Sequence, residues 1–422
     1  MSSNPWSVSS RASSTAAGLL LSLSHLSFAG GFYATELGTP GSLGTAGVAN
    51  VTNNFGPDSA WTNPAGMTGL NEDAGMAGMQ LIIPQNKFDS SVATAGGSDG
   101  GNAGLVSVVP SHFLVKSISD DVKLGFSVAG TMGGGLDYGK NFVGRYGAYR
   151  AVLAGLALSP SIGYRVNEDL SVGAGVSAVY TSFDQDIAVL QEDPMTMARL
   201  PDGRVSINQI DDWGFTSFFG LTYQLNDQAL LGVVYRPEFD ANLEGDVNFS
   251  GLPVTPRADS IKLEWTNPQL LRIGLQYKLD DEYTLFFDAD WEDWSEFSDN
   301  RLEFQGGVLN PVAELDRNWK DTYHLGAAVV RHWDDHHVSL GISYDSSPVD
   351  DEDRTIDLPL DEQLKLSASY ARDGERFDYA IGATLMYMGD GKVDQTAQGV
   401  RFKGEFDTNY VLFLGGTVRY EF

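Results

Sequence analysis

The sequence predicts an all-β membrane protein: a transmembrane antiparallel β-barrel of about fourteen strands with an N-terminal hatch, or plug, folded inside its lumen. Three observations carry that prediction. From about Met76 to Phe422 apolar residues recur with period two. Beyond the N-terminal 29 residues no segment is long and apolar enough for a helical span, which needs roughly 18 to 20 residues. The connections sort into short acidic turns and long polar loops, taken alternately. Backbone groups in hydrocarbon are satisfied only in helices or closed barrels, so a chain without helical spans is either exported and soluble or a barrel. A soluble sandwich also alternates but has no reason to sort its loops, whereas outer-membrane barrels carry short periplasmic turns and longer outer loops.

The N-terminus reads as a targeting segment. Thr15 to Leu23 form an apolar run behind Arg11, and Ser27-Phe28-Ala29 places small residues where a signal peptidase reads, so residues 1–29 are expected to be a signal peptide. Residues 30–70 do not alternate and are rich in Gly, Asn, Thr and Ala. Gly38, Gly41, Gly44 and Gly47 recur at spacing three, but no strand precedes them and no Lys-Ser/Thr follows, so tight packing is favoured over phosphate binding. Too short for a separate domain, this stretch is expected to block a pore that about fourteen strands would otherwise leave open.

Residues 71–422 supply the strands. In Tyr410 to Phe422 one face holds Tyr410, Leu412, Leu414, Val418, Tyr420 and Phe422; Leu170 to Tyr180 and Leu364 to Tyr370 alternate the same way. Tyrosine repeatedly ends the apolar row, where an interfacial girdle belongs. Acidic turns are predicted at Ser119-Asp120-Asp121, Asn167-Glu168-Asp169, Asn226-Asp227, Asp280-Asp281-Glu282, Asp334-Asp335 and Asp373-Gly374-Glu375. Long loops are expected near 85–102, 133–150, 185–211, 238–260, 292–319, 347–361 and 389–407.

Composition removes several function classes. The chain has 27 Lys plus Arg against 56 Asp plus Glu, a formal charge of −29, so it lacks the basic surface that neutralises phosphates, and no nucleic acid partner is expected. With no cysteine, thiol catalysis, disulfides and iron–sulfur ligation are excluded. His336-His337 behind Asp334-Asp335 reads as a solvated turn before it reads as a metal site, and Asp350-Asp351-Glu352-Asp353 as a solvated charge run, although such a run also suits divalent cations bridging lipopolysaccharide. His324 and His332 share a strand without a nucleophile motif. No enzymatic role, metal or cofactor is expected.

Several short motifs fall in one order along the chain: Gly31-Phe32, Asn63-Pro64-Ala65, Val109-Pro110 with His112-Phe113, Trp213-Gly214-Phe215, Tyr235-Arg236, Trp294-Ser295 with Phe297, and Ser347-Pro348-Val349 with Arg354. In these the chain resembles the FadL-type outer-membrane transporters of long-chain fatty acids and other hydrophobic compounds. The resemblance implies passive transport in the bacterial outer membrane, with capture near the outer loops and lateral release past the hatch beside a kinked third strand. It assigns hatch gating to Phe32 and Asn63, Pro64 and Ala65, and the lateral opening to Gly130, Gly133, Gly134 and Gly135 at the end of a strand read as Val122 to Met132. Arg317 and Lys320 are candidate partners of a ligand carboxylate, and inward Phe218, Phe286 and Met386 candidate apolar contacts. Arg272, Lys365 and Arg419 also lie on inward faces, as ligand contacts or as a structural charge network. Expected partners are a fatty acid or other hydrophobic small molecule, outer-membrane lipid and lipopolysaccharide, and barrel assembly machinery reading the terminal Phe422. The alternatives are a general hydrophilic porin, which inward Phe413 and Met388 also oppose, and an outer-membrane lipase.

Overall fold

The computed structural model describes residues 37–193, 195–252, 258, 260–297, 299–306, 312–357 and 360–422. The expected signal peptide and Phe32 lie outside those residues. Among the described residues one antiparallel sheet holds 19 strand segments: β1 Ala74–Ala93, β2 Ser107–Ser117, β3 Val122–Asp137, β4 Arg150–Arg165, β5 Leu170–Val189, β6 Gly203–Asn226, β7 Ala229–Arg236, β8 Phe239–Ser250, β9 Ser260–Asn267, β10 Leu270–Lys278, β11 Tyr283–Glu292, β12 Asp299–Gln305, β13 Val312–Asp316, β14 Thr322–His332, β15 His336–Asp345, β16 Gln363–Arg372, β17 Phe377–Tyr387, β18 Val393–Ala397 and β19 Val400–Glu421. Pairing of β1 with β19, from Ala74 opposite Glu421 to Ala93 opposite Phe402, closes the sheet into a barrel. Five breaks fall inside single crossings (β7/β8, β9/β10, β11/β12, β13/β14 and β17/β18), so 19 segments less 5 give 14 crossings. Two of the breaks sit at Pro237 and Pro268, residues with no N–H to give the ladder.

The wall is inverted relative to a soluble protein. Along β16, Gln363, Lys365, Ser367 and Ser369 are buried while Leu364, Leu366 and Tyr370 are exposed. An outward apolar belt and a polar interior are what a bilayer demands. The six predicted acidic turns all lie between strands, as expected. They are tied locally: Asn167 Oδ1 accepts from the N–H groups of Asp169 and Leu170 at 3.0 and 2.9 Å, and Asp280 Oδ1 from Glu282 and Tyr283 at 2.9 and 2.8 Å.

The long loops are shorter than the sequence predicts. The stretch 185–211 is mostly β5 and β6, 238–260 contains β8, 292–319 contains β12 and β13, and 389–407 contains β18 and the start of β19. These strands run on past the membrane, where the outward face turns polar: in β8 Asp240, Asn242 and Glu244 are exposed while Ala241, Leu243 and Val247 are buried. Inside them Phe183 of β5 and Ile207 of β6 share one buried apolar cluster with Leu263 of β9, Trp294 and Phe297 of a 3-10 turn, and Trp319 just before β14.

Residues 37–70 fill the lumen as a chain of single turns: helix α1 Pro40–Leu43, a 3-10 turn Val48–Thr52, helix α2 Ser59–Thr62 and a 3-10 turn Pro64–Gly69. Pro40 and Pro64 each sit at the first position of a turn, where a missing N–H costs nothing. Asn63 Oδ1 caps the last turn by accepting from the Ala65 N–H at 3.1 Å, while its Nδ2 donates to Val51 O at 2.6 Å and Leu221 O at 3.2 Å.

The hatch fits because the wall thins where it passes. A Cβ on Gly173 would stand 2.5 Å from Ala65 N, one on Gly220 2.1 Å from Asn63 Oδ1, one on Gly232 2.3 Å from Val51 O, and one on Gly341 2.4 Å from the Thr45 carbonyl carbon. One inward glycine on each of several strands forms a seat for the hatch backbone. Gly220→Val should therefore dislodge the hatch at Asn63 while the barrel still assembles. The expected result is heat-modifiable gel migration like the wild type together with raised single-channel conductance in planar bilayers. Wild-type conductance in that variant would show that the glycine seat does not hold the hatch.

Candidate functional site

The barrel wall is incomplete between β2 and β3. The two strands pair from Ser117 opposite Lys123 to His112 opposite Val128 and no further. Ser107 to Ser111 continue to pair with β1, and Ala129 onward with β4. Contact resumes further out, where Leu105 N–H donates to Gly135 O at 2.9 Å and Asp137 N–H to Ala103 O at 2.8 Å. A window in the hydrogen-bond ladder, bounded at both ends, remains, and the Val109 side chain packs against Gly130 across it: a Cβ on Gly130 would lie 2.6 Å from Val109 Cγ1.

A bulge in β3 accompanies the window. Gly130 opposes Leu156 but Met132 opposes Gly155, so Thr131 is the extra residue. One added residue reverses which side chains face inward. Gly125, Ser127 and Ala129 are buried before the bulge; Met132 and Leu136 are buried after it. Gly155 makes room, since a Cβ there would be 2.4 Å from Thr131 Oγ1. The strand does not end near Met132 as expected. Gly133, Gly134 and Gly135 remain within β3, which continues to Asp137.

Thr131 and Met132 line a small cavity beside the bulge. On its inner side stand Leu37, Trp61 and Thr62 of the hatch; Arg236 and Arg272 line the far wall. A second, larger cavity lies toward the acidic turns, lined by Phe55, Phe286, His332, His337 and Arg419 among others.

The structure separates the candidate residues read from the sequence. Asn63, Pro64 and Ala65, the gating positions that the resemblance implies, sit away from the third strand, against Gly163, Gly173 and Gly220 of β4, β5 and β6, where the missing side chains let the turn approach. Trp61 and Thr62, just before that turn, face the cavity at the bulge. Phe218 packs on Trp61 with ring centroids 5.8 Å apart, Phe286 on Phe55 at 6.2 Å, and Met386 clusters with Leu43. All three candidate apolar contacts thus touch the hatch. Arg317 is buried in the outer aromatic cluster, its guanidinium 5.3 Å from the Phe297 ring and 5.9 Å from the Trp319 ring. Burial pushes its pKa down to about 9, and the charge of Asp357 acts the other way. Lys320 stands at the half-exposed rim, paired with Asp350.

Arg272 and Lys365 belong to an ion-pair ladder across the inner wall. In register, Arg272 opposes Asp290, Asp290 opposes His324, and His324 opposes Asp345. Arg272 bonds Asp290 at 2.6 Å and Asp288 at 3.2 Å, His324 Nδ1 meets Asp345 at 2.8 Å, and Lys365 reaches Asp345 at 3.2 Å. Asp288, Asp290 and His324 are close enough to share a cation, but the Arg272 guanidinium already brings positive charge to both carboxylates. In the turn at Asp334-Asp335, His336 Nδ1 bonds Asp335 at 2.7 Å and its ring stacks on Trp333 at 4.7 Å.

Sequence reasoning missed Thr131, Trp61 and Arg236 as cavity residues. The sequence carried no signal for the bulge, since Gly133 to Gly135 bear no side chains that would show the reversal before Leu136.

The same architecture occurs in known proteins. The chain superposes on a Pseudomonas aeruginosa FadL homologue with a TM-score of 0.84 at 19% identity, covering 93% of this chain and all of that one (100%). With the Pseudomonas putida toluene transporter TodX the TM-score is 0.69 at 17% identity, over 87% of this chain and 94% of that one. In sequence it is 25% identical over 401 residues to the long-chain fatty acid transport protein of Escherichia coli O6:H1 (strain CFT073), covering 86% of this chain and 88% of that protein. Outer membrane protein P1 of Haemophilus influenzae is 26% identical over 333 residues, 70% of this chain and 67% of that protein. The family model described as outer membrane protein transport protein (OMPP1/FadL/TodX) matches residues 20–422. A closed barrel plugged from its N-terminus and matched from end to end by that model places the chain in the bacterial outer membrane, and it belongs to the OMPP1/FadL/TodX family of hydrophobic-compound transporters.

Proposed function

We propose that the protein carries long-chain fatty acids or similar hydrophobic compounds passively across the outer membrane, capturing them in the apolar outer lumen and releasing them sideways between β2 and β3. The window in the wall is the observation that carries this reading: an apolar solute leaving there enters the bilayer without crossing the acidic periplasmic turns. Burial in the aromatic cluster at Phe297 and Trp319 favours capture by about 25 cal/mol per Å² of apolar surface. A carboxylate in the outer lumen meets positive charge at Arg317, beside the Phe297 and Trp319 rings, and at Lys320 on the rim. The similarity to a long-chain fatty acid transport protein and to a toluene transporter supports the substrate class.

In this reading residues 1–29 direct export and residues 30–70 are the moving hatch, with Phe32 and Asn63-Pro64-Ala65 as its gating positions and Gly130 and Gly133 to Gly135 as the flexible margin of the opening. Phe286 and Met386 sense the hatch through Phe55 and Leu43. The exposed Phe422 ring is available to barrel assembly machinery, and the acidic outer loops to cation-bridged lipopolysaccharide. No catalytic step is required.

Proteoliposomes decide between this and a hydrophilic porin. Uptake of labelled oleate or toluene without swelling in sugar solutions is the expected result; rapid sugar swelling with no oleate or toluene uptake would overturn the reading.

A further inference from the structure

We propose that His332 and His337, at the periplasmic mouth of the lumen, bind a divalent first-row transition-metal ion of the zinc class, with the Asp373 carboxylate beside them. The site is built from the barrel wall and is independent of what the barrel carries.

The two histidines end the inward rows of neighbouring strands. Along β14 the buried His324, Ala328 and Val330 lead by even steps to His332, and along β15 His337 precedes the buried Ser339 and Ser343. A tight turn, in which the Trp333 N–H donates to His336 O at 2.9 Å, sets His332 directly opposite His337. Their ring centroids are 5.9 Å apart, and both residues line the larger cavity under the hatch. A nitrogen ligand sits 2.0–2.1 Å from zinc, which puts the centroid of a ligating ring about 3 Å from the ion, so one ion between the rings reaches both. The same alternation turns His336 to the other row, where it bonds Asp335 and stacks on Trp333.

Two features beyond the pair point to a cation. Thr284 is buried, and its Oγ1 lies 3.2 Å from His332 Nε2. A metal-ligating imidazole is held by a hydrogen bond at its other nitrogen, which fixes ring and tautomer, and Thr284 is placed to do this. Negative charge is the second feature. Asp373 and Asp378 line the same cavity; the charge of Asp373 acts on both imidazoles and that of Asp378 on His337. The Asp373 N–H donates to Asp335 O at 3.0 Å, which ties this carboxylate to the histidine turn, and Asp378 Oδ1 braces the neighbouring turn by accepting from the Gly374 N–H at 3.0 Å. Of the nearby cations, Lys278 is paired with Asp281 at 3.3 Å, and Arg419 with Glu421 at 3.2 Å.

Imidazole nitrogen selects zinc, nickel or copper(II), whereas calcium and magnesium take oxygen ligands. His332 is exposed, so an ion enters from the periplasmic side. Once bound, it clips β14 to β15 and places positive charge beneath Phe55 of the hatch, which lines the same cavity.

The test uses the full-length protein in detergent, without a polyhistidine tag and after treatment with EDTA. Calorimetric titration with zinc chloride should give about one ion per chain, not displaced by excess calcium chloride. His332→Asn and His337→Asn should each weaken zinc binding about tenfold or more, and Thr284→Val, which keeps the shape, by a similar factor. His336→Asn should bind as the wild type does. Copper(II) added to the wild type should show two nitrogen ligands by electron paramagnetic resonance, a reading that does not depend on any variant folding; each His332 or His337 variant that keeps heat-modifiable migration should show one. Zinc affinity unchanged in both of those variants, zinc that calcium displaces, or a wild-type copper spectrum with oxygen ligands alone would overturn the proposal.

Discussion

Replacing Arg272 with methionine should cost the barrel about 3–5 kcal/mol of stability, because breaking a buried ion pair leaves its partners charged and uncompensated. Arg272 is the cation between Asp288 and Asp290, whose side chains are 0% and 1% exposed. Without it two carboxylates on neighbouring positions of β11 face each other in a lumen closed by the hatch. His324 relieves only part of the deficit, since it is already shared between Asp288 and Asp345. Urea unfolding of the detergent-solubilised protein, followed by gel migration, reads the loss as a lowered midpoint with an unchanged slope. Adding Asp288→Asn and Asp290→Asn should recover much of it, as neutral amides tolerate the missing guanidinium. A single-variant loss below about 1 kcal/mol would mean that water solvates the ladder and the lumen is wetter than its burial implies.

Much of the fold was legible in the sequence because a lipid-facing barrel strand writes an apolar residue at every second position. Leu364, Leu366 and Tyr370 are such a row, and the acidic turns between strands are marked by Asn and Asp that bond their own backbone. The rule weakens beyond the membrane. β8 keeps period two but with Ala241, Leu243 and Val247 inward and Asp240, Asn242 and Glu244 outward, so its polar outer face reads as a loop and the long connections were overestimated. The hatch was legible only as a stretch without period. Its seat was not, since the inward glycines Gly173, Gly220, Gly232 and Gly341 lie far apart in the chain and only the closed barrel sets them at matching heights.

The candidate site was half legible. The glycines after Met132 pointed to an irregular third strand, but Gly133 to Gly135 have no side chains, so the reversal of facing at Thr131 left no mark between Val128 and Leu136. Arg236 was visible as a charge beside a tyrosine; its place over Trp61 depends on where a non-periodic segment packs. Inward Phe218, Phe286 and Met386 were correctly seen as apolar and buried, yet alternation gives the facing of a side chain and not what it meets. Each of the three meets the hatch.

The claim that hydrophobic molecules leave through the β2–β3 window is tested most directly by locking it. The chain has no cysteine of its own, and a Cβ on Gly130 stands 3.9 Å from the Cβ of Val109, inside the range of about 3.5–4.5 Å that a disulfide spans. The double variant Val109→Cys/Gly130→Cys should cross-link on oxidation and pin the two edges together without altering the closed part of the wall. Oleate uptake by oxidised proteoliposomes should fall to the level of protein-free vesicles and return on reduction, with the Val109→Cys single variant transporting like the wild type under both conditions. Undiminished uptake with the cross-link verified by mass would contradict lateral release and send the exit toward the periplasmic cavity instead.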